Sequence, residues 1–198
     1  MMYLIFVVFI FNLIAHCNCT YDLSKVVFVI VSQPQKFHTE IADETKEKLW
    51  ENLKKDGVES PQVFTLHNDL PLHGGWTIFP LLPTLNKISN SETKWFAFLH
   101  EAAEINLDLF KAIPAKYSSD YEIFVGKALV DRDSSIIHHF DSSGLAYPDF
   151  KAGFLLSKLL VDSLAKRIDE NPDQLAGFPK DFSIDASYEL AKGNCCFK

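Results

Sequence analysis

Lys25-Val26-Val27-Phe28-Val29-Ile30-Val31, KVVFVIV, is the stretch whose reading decides the fold. It is an unbroken run of β-branched and aromatic residues, without the polar alternation of a strand that faces water on one side. Such a run is a strand buried on both faces, and sheets covered on both faces are built from strands alternating with helices. Downstream, His38 to Lys55 sets Ile41, Leu49, Trp50 and Leu53 among charges at helical spacing, so that segment packs one face onto the strand. Gln62 to Leu66 reads as a second short strand. Gly74-Gly75 opens a turn, and Trp76 to Leu85, interrupted by Pro80 and Pro83, reads as a buried irregular or short helical segment.

Lys94 to Leu99 (KWFAFL) repeats the buried-strand pattern and runs into His100-Glu101-Ala102-Ala103-Glu104 and a helical stretch, Asn106 to Ile113. Further strands are expected at Glu122 to Ala128 and Ser134 to His138. Phe154 to Ile168 reads as an amphipathic helix with Leu155, Leu156, Leu159, Leu160 and Leu164 on one side, and Ser183 to Lys192 as a short final helix. The alternation predicts an α/β layered fold with a mainly parallel central sheet.

Met1 to Ala15 is apolar apart from Asn12 and is followed by His16-Cys17-Asn18-Cys19-Thr20, the form of a signal-peptide core with its cleavage region. The apolar stretch is shorter than the roughly 20 residues of a bilayer span. The expected division is a signal peptide at 1–19 and a single domain at 20–198, lying in the endoplasmic reticulum lumen or elsewhere in the secretory pathway. The missing positive charge ahead of the apolar core leaves an uncleaved signal anchor in the membrane as the alternative. The net charge of −7 argues against nucleic acid as a partner, since phosphate binding needs clustered Lys and Arg. Cys195 and Cys196 are adjacent, so no internal disulfide framework can be read from them.

Ligands of such sheets sit beyond the carboxyl ends of the strands, which brings His100 and Glu101 forward as candidates. The competing reading is a solvated turn whose acid favours a helix start. HEAAE lacks the second His of the zinc-protease HExxH and follows a strand instead of lying within a helix. His138-His139 would point to opposite faces of a strand and cannot grip one ion. Asp141-Ser142-Ser143-Gly144 has no nucleophile-elbow pattern, and no phosphate-binding Gly-rich string occurs.

Six blocks in order carry a family resemblance. They are VFVIVSQPQKFHTEIADETKEKLW, GGWTIFPLLP, KWFAFLHEAAEI, FVGKALVDRDSSIIHHF, YPDFKAGFLLSKLLVDSL and DFSIDASYELA. Together they resemble the N-terminal, Fringe-like domain of the O-fucose β-1,3-glucosyltransferases. The resemblance implies a nucleotide-diphospho-sugar transferase-like fold of the GT-A type, in a parent with two such domains in tandem. It implies UDP-glucose as donor, fucosylated thrombospondin-type repeats as acceptor, and a C-terminal catalytic domain as the partner of this one. Mn²⁺ is expected for the parent enzyme, with none held tightly by this chain.

The family's aspartate metal motif falls on His100, Glu101 and Ala102, so His100 and Glu101 are the degenerate metal candidates. Donor or substrate contacts carry over to His100, Glu101, Asp149 and Gly153. The catalytic base falls in the region of Asp181-Phe182, where the second acid is replaced by Phe182; Asp181 and, one turn on, Asp185 remain as candidates. The resemblance thus implies a domain that recognises acceptor or packs on the catalytic one. The alternatives are a self-sufficient UDP-sugar transferase using Glu101 and Asp181, and a lumenal binding module without sugar chemistry.

Overall fold

A computed structural model describes residues 21–70, 78–130, 144–170 and 190–191. The expected signal segment at 1–19, the strand at Ser134 to His138, Asp181, Asp185, Cys195 and Cys196 lie outside the described residues, as does the expected last helix apart from Leu190 and Ala191.

The first strand, β1, is Val26–Val31, entered through a 3₁₀ turn at Leu23–Lys25 that Asp22 caps. Helix α1 (Lys36–Lys55), strand β2 (Gln62–Thr65), helix α2 (Ile78–Ile88), strand β3 (Trp95–His100) and helix α3 (Leu107–Lys116) follow. Then come β4 (Phe124–Gly126), β5 (Ala128–Val130), β6 (Ala146–Pro148), a 3₁₀ turn at Phe150–Ala152, β7 (Phe154–Ser157) and helix α4 (Lys158–Glu170). The main sheet has the order β2-β1-β3-β7-β4, and β5 pairs with β6 apart from it. β1 is parallel to β2 and β3, whereas β7 is antiparallel to both β3 and β4. The sheet is therefore mainly parallel with one reversed strand, in line with the expected α/β class.

Two cores cover its faces. Val27, Val29, Phe96, Phe98, Phe154 and Leu156 meet Leu81, Leu82 and Leu85 of α2 and Val161 and Leu164 of α4. Phe28, Ile30, Ala97, Leu99 and Leu155 meet Ala42, Leu49 and Leu53 of α1 and Phe110 of α3. Successive strand residues alternate between the two clusters, as the two-residue pleat requires, and this is why VVFVIV and WFAFL, after their leading lysines, carry no polar positions.

Two sequence expectations need correction, and a third, the buried irregular or short helical segment at Trp76 to Leu85, is met in its helical form. Phe154 to Ile168 is not one helix: its first four residues are β7, inserted between β3 and β4, and only Lys158 onward is helical. Phe154 and Leu156 face one core and Leu155 the other, which a helix would not allow. Leu159, expected on the apolar side, is 45% exposed. Trp76 to Leu85 is helical from Ile78 and continues to Ile88 despite Pro83; Pro80 falls in the first turn, where N–H groups have no intrahelical partner anyway, and burial of Leu81, Leu82 and Leu85 offsets the bond lost at Pro83. Glu122 to Ala128 is two short strands, β4 and the start of β5. Among the described residues no helix is long and apolar enough to cross a membrane.

Candidate functional site

β1 and β3 lie side by side in parallel register with Val31 opposite His100, so their carboxyl ends open at one edge of the sheet. Two chain segments meet there: the first turns of α1, which carry His38 and Thr45, and the turn after β3, which carries Glu101. The Glu101 side chain is 7% exposed, against 32% for His38. Its Oε1 is hydrogen-bonded to His38 Nδ1, and since a carboxylate only accepts, the ring nitrogen is assigned as donor. Thr45 Oγ1 donates to the Glu101 carbonyl at 2.6 Å, so backbone and side chain of Glu101 are both tied to α1. Glu101 Oε2 is buried without a hydrogen-bond partner.

The solvated-turn reading is therefore wrong for Glu101, which is buried and lies well before the start of α3, whose cap is Asn106. His100 is the last residue of β3; its Nδ1 accepts the Ala102 N–H at 3.2 Å, and its carbonyl accepts the Ala103 N–H at 3.0 Å, closing the turn.

A second polar array lies at the ends of β1 and β2. Ser32 Oγ is 2.8 Å from His67 Nδ1 and accepts the His67 backbone N–H at 3.2 Å, and His67 Nε2 lies 3.4 Å from Asp43 Oδ1 of α1. Serine, imidazole and carboxylate stand in line, but Ser32 is 1% exposed, so its hydroxyl cannot be reached by a substrate. The array fastens α1 over β1 and β2. Beside it Asp69 accepts from the Thr65 N–H at 2.7 Å and Thr65 hydroxyl at 3.0 Å, and from Lys46 Nζ at 2.6 Å. Burial opposes ionisation of Asp69, but these donors together outweigh it and hold the carboxyl below its usual range.

The other site residues expected from sequence lie across β3. Asp149 accepts the Lys151 N–H at 3.2 Å, capping the 3₁₀ turn, and Lys127 Nζ at 2.8 Å. The Lys127 bond leads the effects that hold its carboxyl below the ordinary range. Asp149 is thus engaged by two lysine residues and not by the His100-Glu101 turn. Gly153 has φ 73 and ψ 164, and a Cβ there would stand 3.0 Å from the Phe98 carbonyl oxygen. It packs the chain against β3, as a glycine at a close approach does. Gly153, Gly126, Leu99, Ile105, Phe110 and Tyr117 line a groove of about 830 Å³ between α3 and the β4–β7 pair. The structure therefore brings His100, Glu101 and Gly153 to the same end of β3, whereas Asp149 is not among the groove's lining residues.

His38, Thr45, Ser32 and His67 were not singled out from the sequence. The usable signal for His38 was its place in the first turn of the helix after β1, which in a parallel sheet must lie over the carboxyl edge.

The donor set does not fit a divalent cation. Among the described residues no group of three or more His, Cys, Asp or Glu side chains could hold a metal ion. Mg²⁺ and Mn²⁺ favour several oxygens, whereas this turn offers one carboxylate, already buried and bonded, followed by the methyl of Ala102.

No protein-family model matches the chain. Over 174 residues, covering 86% of the chain, it is 35% identical to a β-1,3-glucosyltransferase of Mus musculus and to one of Homo sapiens. Over these residues the chain is similar to β-1,3-glucosyltransferases. It spans about a third of those relatives, 35% of the mouse protein and 34% of the human one. The mixed α/β architecture with its mainly parallel sheet agrees with a glycosyltransferase-like fold. Among the described residues, the His38–Glu101 pair, the Ser32–His67–Asp43 array and the groove lined by Gly126 and Gly153 lie at the carboxyl edge of the sheet.

Proposed function

We propose that this chain is the first, Fringe-like domain of a β-1,3-glucosyltransferase that transfers glucose from UDP-glucose to O-linked fucose on thrombospondin-type repeats in the endoplasmic reticulum lumen. In this reading the domain does not catalyse transfer. It recognises the acceptor or packs on the catalytic domain of the parent. The observation that supports this is the state of Glu101: the one carboxylate of the His100-Glu101-Ala102 turn is buried and bonded to His38. Glucosyl transfer develops negative charge on the departing diphosphate and releases a proton from the acceptor hydroxyl, so it needs a positive centre and a positioned base. A buried, internally bonded carboxylate supplies neither. Each 1.36 kcal/mol of lost transition-state stabilisation is about a tenfold loss of rate, and a missing base alone removes about 10²-fold or more.

The test uses the purified chain with radiolabelled UDP-glucose, Mn²⁺ and an O-fucosylated thrombospondin-type repeat. No transfer is expected, together with retention of the chain on immobilised fucosylated repeat or on the C-terminal part of the parent. Turnover abolished by Glu101→Ala or Asp181→Ala would replace this reading with a self-sufficient transferase. Absence of any retention would favour a lumenal binding module of another kind.

A further inference from the structure

We propose that the groove between α3 and the β4–β7 pair is a protein-docking surface, and that its occupant is an apolar, acidic segment from the rest of the parent β-1,3-glucosyltransferase, a step that rests on reading this chain as one domain of a longer enzyme.

α3 is apolar on two sides. Phe110 and Pro114, four residues apart, are buried on the sheet side. Leu109 and Ile113, also four apart, line the groove, and Leu109 is 66% exposed. A helix that is covered on one side only keeps polar residues on the other. The groove floor is apolar as well: Val125 and Leu155 line it, and Gly126 and Gly153 place no side chain in it. A continuous apolar surface of this kind marks an interaction site.

Charge says what kind of partner fits. The chain carries a net charge of −7, yet the groove is lined by three lysines, Lys116, Lys127 and Lys151, against one acid, Glu104. Lys127 is held by Asp149, and Lys116 Nζ lies 5.6 Å from the centre of the Tyr117 ring. Among the described residues neither Lys116 nor Lys151 is paired with a carboxylate. An apolar trough with free ammonium groups on its rim complements apolar side chains flanked by carboxylates. A saccharide fits it less well, because the acid and amide side chains that would hold its hydroxyls are Glu104 and Asn106 alone, and Asn106 Oδ1 already accepts the Leu109 N–H at 3.1 Å. An anionic bilayer would be repelled by the chain's net charge. The matched stretch makes up 35% of the mouse relative, so most of such an enzyme lies in the same polypeptide as this groove. A tethered partner is present at high effective concentration, and a groove of about 830 Å³ needs only modest contacts to hold it.

The test is site-specific photocrosslinking in the full-length product that carries this chain. Benzoylphenylalanine replaces Leu109 or, as a control, Leu159, which is 45% exposed on α4 across the sheet, and adducts are mapped by mass spectrometry. The Leu109 probe should join residues beyond Lys198, in a segment that carries Asp or Glu, at several times the yield of the Leu159 probe. Lys116→Glu with Lys151→Glu should lower the Leu109 adduct severalfold. Should the probe at Leu109 prevent folding, Tyr117, an aromatic residue on the same groove and 37% exposed, takes its place.

Adducts to another part of this same chain, to a differently tagged second copy, to lipid, or to an added fucosylated thrombospondin-type repeat would each overturn the proposal by naming a different occupant. A Leu109 adduct no stronger than the control would overturn it outright, and an adduct indifferent to the two lysine reversals would overturn the acidic partner. A full-length product that ends with this chain would sink the reading beneath the proposal, and its mass shows that before any irradiation.

Discussion

Gly153→Ala places a methyl group where the structure leaves no room and no permitted backbone. The residue has φ 73 and ψ 164, a region open essentially to glycine, where other residues carry about 1–3 kcal/mol of strain. Its added Cβ would also lie 3.0 Å from the Phe98 carbonyl oxygen, which belongs to the middle of β3 and is bonded into the sheet. Neither strand can give way without loosening the β3–β7 pairing, so an overpacking cost of about 1–3 kcal/mol adds to the strain. Together these come to roughly 2–6 kcal/mol, or about 4–24 °C in melting temperature for a domain of this size.

Gly57→Ala is the matched control. Gly57 also has positive φ, 91, but nothing lies within 4 Å of its added Cβ. It closes α1 with its N–H on the Lys54 carbonyl and that of Val58 on the Leu53 carbonyl, an ordinary glycine cap, so its cost is backbone strain alone, about 1–2 kcal/mol. Paired thermal and urea melts separate the two, with the urea slope unchanged in both variants. Equal losses would show that the contact with Phe98 contributes nothing, and a loss at Gly153 below about 0.5 kcal/mol would refute the backbone conformation itself.

Two further changes probe the polar joints. Ser157→Ala removes a buried hydroxyl that donates to the Tyr121 carbonyl at 2.7 Å and accepts the N–H of Ile123 at 2.9 Å and of Leu160 at 3.3 Å. About 2–3 kcal/mol should be lost, with faster amide exchange at Ile123; unchanged exchange there would contradict the bond. Asp69→Asn should cost about 1 kcal/mol at neutral pH through the lost Lys46 and Thr65 contacts. Because the folded carboxyl titrates below the unfolded one, its contribution is complete above about pH 3.9 and fades as pH falls through the folded value. Wild type and variant should therefore converge in acid, and a gap that persists below that range would mean the carboxylate charge is not what matters.

The parts of the fold legible in the sequence are those where burial on both faces erased polarity. KVVFVIV and KWFAFL each fell within one residue of the observed strand. β7 was not legible because FLLS runs directly into KLLVDSL, and a four-residue apolar run beside a helix has no period of its own. What made it a strand is tertiary: the space between β3 and β4. At the site, the candidates His100, Glu101 and Gly153 were brought to one strand end, but the partner that gives Glu101 its state lies 63 residues away on α1. A lone histidine in a charged helix carries no local mark of that role. Ser32 and His67 were hidden for the same reason, since their pairing exists only once β1 and β2 are side by side.

The reversed strand also sets an order in time. Among the described residues β7 is the last strand of the main sheet to leave the ribosome, yet it lies between two that precede it. Until Ser157 has emerged, β3 presents an open edge lined by Phe96 and Phe98, and β4 has no strand to pair with. The nascent chain must hold this half-built sheet through the whole of residues 101–153, a long loop closure with an aggregation-prone edge exposed. Chaperones have their natural target in that interval, and a fragment ending before Phe154 would remain fixed within it.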